Sequence, residues 1–156
     1  MSEIDIEQRI SAGAIIIENG QILLVRDIGR NGKSFLVAPG GGALDGENVK
    51  QTAIREVKEE TGLDVNPYKI LFVEDLISSW IRGLKIWFLS RLTGGQLERT
   101  EGAIEDGIIE ARWYRREELK GEIVYPQLLL DTDWELFFEN TWETRHLVQN
   151  TADADF

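Results

Sequence analysis

Residues Gly41 to Leu63 read GGALDGENVKQTAIREVKEETGL and continue the glycine run that opens at Pro39-Gly40. Val49, Ala53 (with Ile54) and Val57 recur at helical spacing, which makes one buried stripe. The pattern predicts a helix over Asn48 to Thr61. Asp45 to Asn48 supplies capping side chains and acidic charge at the positive end of the helix dipole. Gly62 then ends the helix as a left-handed cap. Pro39 with Gly40, Gly41 and Gly42 predicts a turn whose backbone N–H groups can approach phosphate oxygens closely.

Residues three and four apart on a helix are neighbours, so Glu56, Glu59 and Glu60 crowd one patch. Each like-charge contact would destabilise an isolated helix by roughly 0.2–0.5 kcal/mol. Arg55 can pair with Glu59, but that satisfies only one of the three acids. Taken singly, each glutamate reads as part of a solvated helix face. Their joint spacing points instead to a bound cation, and carboxylate oxygens are hard ligands suited to Mg²⁺ or Mn²⁺.

Working outward, two aliphatic runs, Ile10 to Ile17 and Gln21 to Arg26, flank Asn19-Gly20, the signature of a hairpin. Asp27 to Lys33 reads as a loop and Ser34 to Val37 as a short strand. Lys69 to Leu76 and Leu84 to Leu92 read as strands separated by a loop through Ser78-Ser79-Trp80, with a turn at Thr93-Gly94-Gly95-Gln96. Leu97 to Gly107 is acidic and polar, and reads as a mobile segment. A strand over Ile108 to Tyr114 and a short helix near Arg116 to Leu119 follow. A last helix is expected from Gln127 to about Trp142, with Leu130, Trp134, Phe137 and Phe138 facing inward. Irregular alternation of strands and helices predicts a mixed sheet with helices on its two faces, not a doubly wound parallel sheet. One domain over residues 1–148 is expected, with 149–156 as a disordered tail.

The 156 residues suffice for one compact domain with its own core. With 42% hydrophobic and 29% charged residues, the composition is that of a globular protein, not a disordered chain. The chain has no cysteine, which excludes disulfides, thiolate zinc sites and thiol nucleophiles. Its one histidine, His146, reads as structural or solvent-facing, and a multi-histidine metal site is excluded. A net charge of −11 argues against duplex nucleic acid as a partner. An anionic small substrate stays open, because a cation and a local arginine can invert the field within a pocket. Met1 to Arg9 lacks an apolar core of signal-peptide length, and no apolar run reaches bilayer thickness, so a soluble cytoplasmic protein is expected.

The same stretch resembles the signature of the Nudix hydrolases: Gly, five residues, Glu, seven residues, then Arg-Glu-aliphatic-x-Glu-Glu-x-Gly-aliphatic. Gly41, Glu47, Arg55-Glu56-Val57, Glu59-Glu60 and Gly62-Leu63 match at every fixed position. A chance match somewhere in such a chain is on the order of 10⁻⁷. The resemblance implies an α/β (α+β) fold, an α/β/α sandwich with a mixed sheet flanked by helices. It implies Glu56, Glu59 and Glu60 as ligands of Mg²⁺ or Mn²⁺, with Glu47 and Arg55 paired to hold the loop and helix in shape. Members of the family often add an acid from beyond the box as a ligand or base; Glu101, Glu105, Asp106 and Glu110 are on offer, and Glu110, then Glu105, is favoured.

The implied reaction is hydrolysis of a pyrophosphate bond in a nucleoside diphosphate linked to another group, by water activated at the cation. A nearby carboxylate, Glu56, Glu59 or the loop acid, takes the proton. Arg26, at the end of the second strand, and Gly40 to Gly42 are the candidate phosphate binders. Trp80, Phe35 and Trp87 can stack a base, although aromatics in strands are more often core. The residues past the box carry no ADP-ribose, dinucleoside polyphosphate, coenzyme A or NADH subgroup mark, which leaves a nucleoside triphosphate or a nucleotide sugar. The alternative is a catalytically silent Nudix-fold module that binds a nucleotide for regulation. A homodimer is implied by the resemblance alone.

Overall fold

The computed structural model describes residues 6–29 and 31–150. Expectations for residues 1–5 and for the tail residues 151–156 lie outside the described residues. Strands β1 (Glu7–Ile15), β2 (Ile17–Glu18), β3 (Gln21–Ile28), β4 (Ser34–Val37) and β5 (Gly40–Gly42) precede helix α1 (Val49–Thr61). There follow β6 (Leu63–Ile77), β7 (Ile81–Gly95), α2 (Glu101–Glu105), β8 (Ile108–Arg115), β9 (Val124–Tyr125), α3 (Leu128–Asp131) and β10 (Arg145–Asn150). Two 3₁₀ turns, Arg116–Leu119 and Trp134–Phe138, punctuate the C-terminal third.

The first hairpin turns where Asn19 and Gly20 adopt φ of 51° and 74°, and Ile17 then faces Ile22 across β2 and β3. Beyond it the strands divide into two sheets. The mixed sheet runs β10-β6-β7-β1-β5. Within it β1 is parallel to β7 and β10 to β6, while β6 with β7 and β1 with β5 are antiparallel. The second sheet is built on β3, which pairs with β2, β4 and β8, and β9 extends it beyond β4. The expected mixed sheet is therefore present, accompanied by a second one.

Alternation along β1 and β7 separates two apolar layers. Ala12 and Phe88 pack on Ala53 of α1, and Ala14 packs with Val57. Ile15, Trp87 and Leu89 join Phe72, Leu129, Trp134 and Phe137 in the larger cluster on the other side. Helix α1 and the C-terminal segment thus cover opposite faces of the mixed sheet.

Several boundaries depart from expectation. Thr93 to Gly95 belongs to β7, because Gly94 and Gly95 pair with Asp64 and Leu63. Residues 101–105 of the acidic segment form α2, where a mobile stretch was expected. The single last helix is replaced by α3 and a 3₁₀ turn. Thr132 leaves the helical conformation, Asp133 caps the following turn by accepting from Glu135 N–H, and Arg116 takes the Leu130 and Thr132 carbonyls at 2.7 Å each. Trp134 and Phe137 are buried as expected, whereas Phe138 is exposed. Gln149 and Asn150, assigned to the tail, pair with Leu76 and Ile77, so the last strand outruns the expected boundary by two residues. Among the described residues no helix is long and apolar enough to cross a membrane.

Candidate functional site

Asn48 starts α1 with a capping box. Its Oδ1 accepts from Gln51 N–H and Gln51 Oε1 accepts from Asn48 N–H, both at 2.9 Å. Gly62, at φ 80°, ends the helix and donates to the Lys58 carbonyl at 3.0 Å. These caps fix a 13-residue helix whose inner edge carries the acids.

Arg55 is the hub of that edge. Its Nε donates to Glu47 Oε2 at 2.7 Å, and its Nη2 reaches Glu47 Oε1 at 3.0 Å and the Gly42 carbonyl at 2.8 Å. Its Nη1 reaches Glu56 Oε1 at 2.8 Å and Glu59 Oε2 at 3.1 Å. Glu47 also accepts from Thr52 Oγ1 and Leu44 N–H. Above all the Arg55 bonds, and then these two donors, hold the Glu47 carboxyl down at about 2. The guanidinium is pushed upward in turn, mainly by Glu47 and then Glu56. The inferred pairing of Glu47 with Arg55 is a structural fact. One arginine ties the loop before α1, the glycine strand and two of the crowded glutamates together.

The glycine run differs from expectation. Gly40 to Gly42 is not a turn of free amides but a short strand antiparallel to β1, with Gly41 opposite Ala12. Close approach explains the residue type. A Cβ on Gly41 would lie 2.6 Å from the Glu56 carboxyl carbon, and one on Gly40 would lie 2.6 Å from the Ala12 carbonyl.

Oxygens of Glu56, Glu59 and Asp106 lie within 4.8 Å of one another. Asp106 arrives through α2, which is seated on α1. The Thr100 hydroxyl donates to the Glu59 carbonyl and accepts from Ala103 N–H, and Asp106 N–H bonds the Gly102 carbonyl at 3.0 Å. The donor set is three hard oxygens, two from the box and one from beyond it. That chemistry fits Mg²⁺ or Mn²⁺.

Glu60 is not in this group. It is 4% exposed, and burial, then the charge of Glu56, raises its carboxyl far above the usual range. Lys85, itself 2% exposed, opposes that rise; burial lowers its own ammonium, and Glu60, Glu74 and Glu56 hold it up. Register places Ser11, Lys85 and Glu74 side by side on β1, β7 and β6. The Trp87 indole donates to Glu74 Oε1 at 3.0 Å. A buried layer of ionisable groups thus lies behind the acids of the helix.

Besides Glu60, expected as a third ligand within the box, Glu110 and Arg26 also lie apart from the group of Glu56, Glu59 and Asp106. Glu110 sits on β8 opposite Arg26, near Arg112 and the Tyr114 hydroxyl, and the structure does not bring it to the acidic group. The chain meets α1 four residues earlier, at the end of α2, where Asp106 lies with Glu56 and Glu59. Arg26 is held by Glu122 at 2.9 and 3.2 Å and by Ser34 at 3.2 Å, and does not line the cleft beside the acids. Trp87 and Phe35 are core. His146 is exposed and paired with Asp75.

That cleft, of about 550 Å³, is walled by Gly40, Gly41 and Gly42, by Glu56, Glu60 and Asp106, and by Val25, Val37, Ala38 and Ile108. Asp27, Arg9 and Lys85 also line it, and none of the three was singled out as cleft-lining from the sequence. For Lys85 a signal existed: a lone cation in the apolar run Leu84-Lys85-Ile86-Trp87.

A family model for the NUDIX domain matches residues 7–134. The chain is 35% identical over 102 residues to the human 8-oxo-dGDP phosphatase NUDT18, covering 65% of this chain and 30% of that protein. It is 32% identical over 98 residues to the ADP-ribose pyrophosphatase of Methanocaldococcus jannaschii, covering 62% of this chain and 58% of the relative. The matches to the mouse, human and zebrafish 8-oxo-dGDP phosphatases span under a third of those proteins, 29 to 31%. Among solved structures, an ADP-ribose pyrophosphatase from Streptococcus suis aligns with TM-score 0.66 at 24% identity, covering 88% of this chain and 98% of that one. A UDP-X diphosphatase aligns with TM-score 0.67 at 20% identity, covering 92% and 69%. These two likenesses show the fold. Matched by the family model over most of its length, with every fixed position of the box filled and its Glu47–Arg55 pair formed, the chain belongs to the Nudix family.

Proposed function

We propose that this chain hydrolyses the pyrophosphate bond of a nucleoside diphosphate joined to another group, with a divalent cation held by Glu56, Glu59 and Asp106. The observation that carries the reading is the convergence of those three carboxylates, of which Glu56 and Asp106 line a cleft walled by side-chain-free backbone. When bound, the cation supplies charge neutralisation on the phosphate oxygens and lowers the pKa of water.

The chain's own residues set the geometry. Arg55 pins Glu56 and Glu59 in place, and Gly41 lets Glu56 stand against the β5 backbone. In the reaction a water oxygen forms a bond to phosphorus while the bridging P–O bond breaks. The proton released by the water goes to a carboxylate of the group, Glu56, Glu59 or Asp106. Glu60, enclosed next to Glu56 and Lys85, serves as an inner support for that carboxylate and not as the principal ligand.

The names of two relatives, 8-oxo-dGDP phosphatase and ADP-ribose pyrophosphatase, support nucleoside diphosphates and ADP-ribose as candidates beside the nucleoside triphosphates and nucleotide sugars suggested by the sequence. The test is a panel of these four classes with Mg²⁺, scored for release of phosphate, pyrophosphate or a nucleoside monophosphate. One class is expected to turn over, and Glu59→Gln to cut that turnover by about two orders of magnitude or more with an unchanged melting temperature. Tight nucleotide binding with no turnover across the panel would replace the enzyme reading with the regulatory one.

A further inference from the structure

The lining of the cleft is acidic, which is at odds with an anionic substrate. Glu7, Asp27, Glu56, Glu60 and Asp106 all contribute to it, against the two cations Arg9 and Lys85. Lys85 is enclosed at 2% exposure, with Glu60, Glu74 and Glu56 acting on it. Arg9 is different. Among the described lining residues it is the one cation with substantial solvent exposure, 36% of its side chain.

Its position is also specific. Arg9 projects from β1 over the glycine strand: a Cβ on Gly42 would lie 3.8 Å from Arg9 Cδ and 3.9 Å from its Nε. The Gly42 carbonyl is the one that Arg55 grips, so Arg9 and the hub of the acidic edge meet the same glycine. The guanidinium is occupied by Glu7, through Nε at 3.3 Å and Nη2 at 3.0 Å. That pair is exposed on both sides, and exposed pairs contribute little. A phosphate, with two parallel acceptors and more charge, is the stronger partner for a planar fork.

Resting on the hydrolase reading above, we infer that Arg9 is the substrate's phosphate anchor: it exchanges Glu7 for a non-bridging phosphate oxygen of the bound nucleotide. It does not touch the reacting water and so acts on binding. Arg26, the cation that the sequence suggested for this task, is held by Glu122 outside the cleft.

The experiment is steady-state kinetics at saturating Mg²⁺ on wild type, Arg9→Gln, Arg9→Lys and Glu7→Gln, using the best substrate of the panel. Arg9→Gln is expected to raise KM roughly tenfold or more with kcat within about twofold. Arg9→Lys should recover part of the loss, and Glu7→Gln should lower KM about twofold by freeing the guanidinium. An unchanged KM in Arg9→Gln, or a loss confined to kcat, overturns the assignment. Turnover by the wild type tests the hydrolase reading separately. Where the wild type does not turn over, calorimetric titration of wild type and Arg9→Gln with inorganic pyrophosphate and Mg²⁺ decides: weaker binding by the variant upholds the anchor, and equal binding removes it.

Discussion

Arg55 reaches four residues with one guanidinium, and Glu47 is the partner that depends on it most. The Glu47 carboxyl, held at about 2 in the folded chain against an ordinary 4.5, favours folding in its ionised form. That stabilisation is complete above pH about 4.5 and is lost as pH falls toward about 2. Glu47→Gln should therefore lower the melting temperature at pH 7 while flattening its fall between pH 5 and 2. Parallel melting curves for the two proteins through that window would remove Glu47 from the acid response. Gly41 makes a sharper prediction. Its φ is not in the left-handed region, so Gly41→Ala leaves the backbone unstrained, but the new methyl meets the Glu56 carboxylate. Turnover is expected to fall by about tenfold or more while circular dichroism stays unchanged; full activity would mean that Glu56 does not need its present place.

At the scale of elements, what was legible in the sequence was local. The α1 helix, its Asn48 start, the Gly62 stop and the Asn19-Gly20 hairpin are each specified within a few residues, and all are present. The features that were missed depend on contacts distant in sequence. The C-terminal helix breaks because Arg116 takes its carbonyls from another segment. Asp106 joins the acids because α2 docks through Thr100 onto the Glu59 carbonyl, 41 residues away, and no periodicity in Leu97 to Gly107 announces that. Docking of α2 is thus what brings in the third carboxylate. Thr100→Val should weaken Mn²⁺ binding several-fold while α1 stays intact, and Thr100→Ser should restore it. Equal Mn²⁺ affinity in the valine variant would show that Asp106 reaches its place without this seat.

For the whole molecule, two sheets and α1 meet at a cleft whose walls come from elements far apart in the chain: β1, β3, β4, β5, α1 and β7, with Asp106 and Ile108 from the region of α2 and β8. The box supplies Glu56, Glu59 and the Arg55 clamp, while Glu60, read from the same box as a ligand, lies buried beside Lys85 and outside the group of three. Arg9, Asp27 and Lys85 are brought in by strand order, which the box does not encode. The buried pairing of Lys85 with Glu74 is likewise a product of register across β6 and β7, and α1 brings Glu60 to it. The hydrolysis proposed for this cleft requires that Glu56, Glu59 and Asp106 share an ion. The most direct measurement is a Mn²⁺ titration followed by electron paramagnetic resonance on wild type, Glu59→Gln and Asp106→Asn. The expected result is saturable binding by the wild type, weakened by about tenfold or more in each variant, with displacement by Mg²⁺. Affinity that is the same in all three proteins, or no saturable binding at millimolar Mn²⁺, would contradict it.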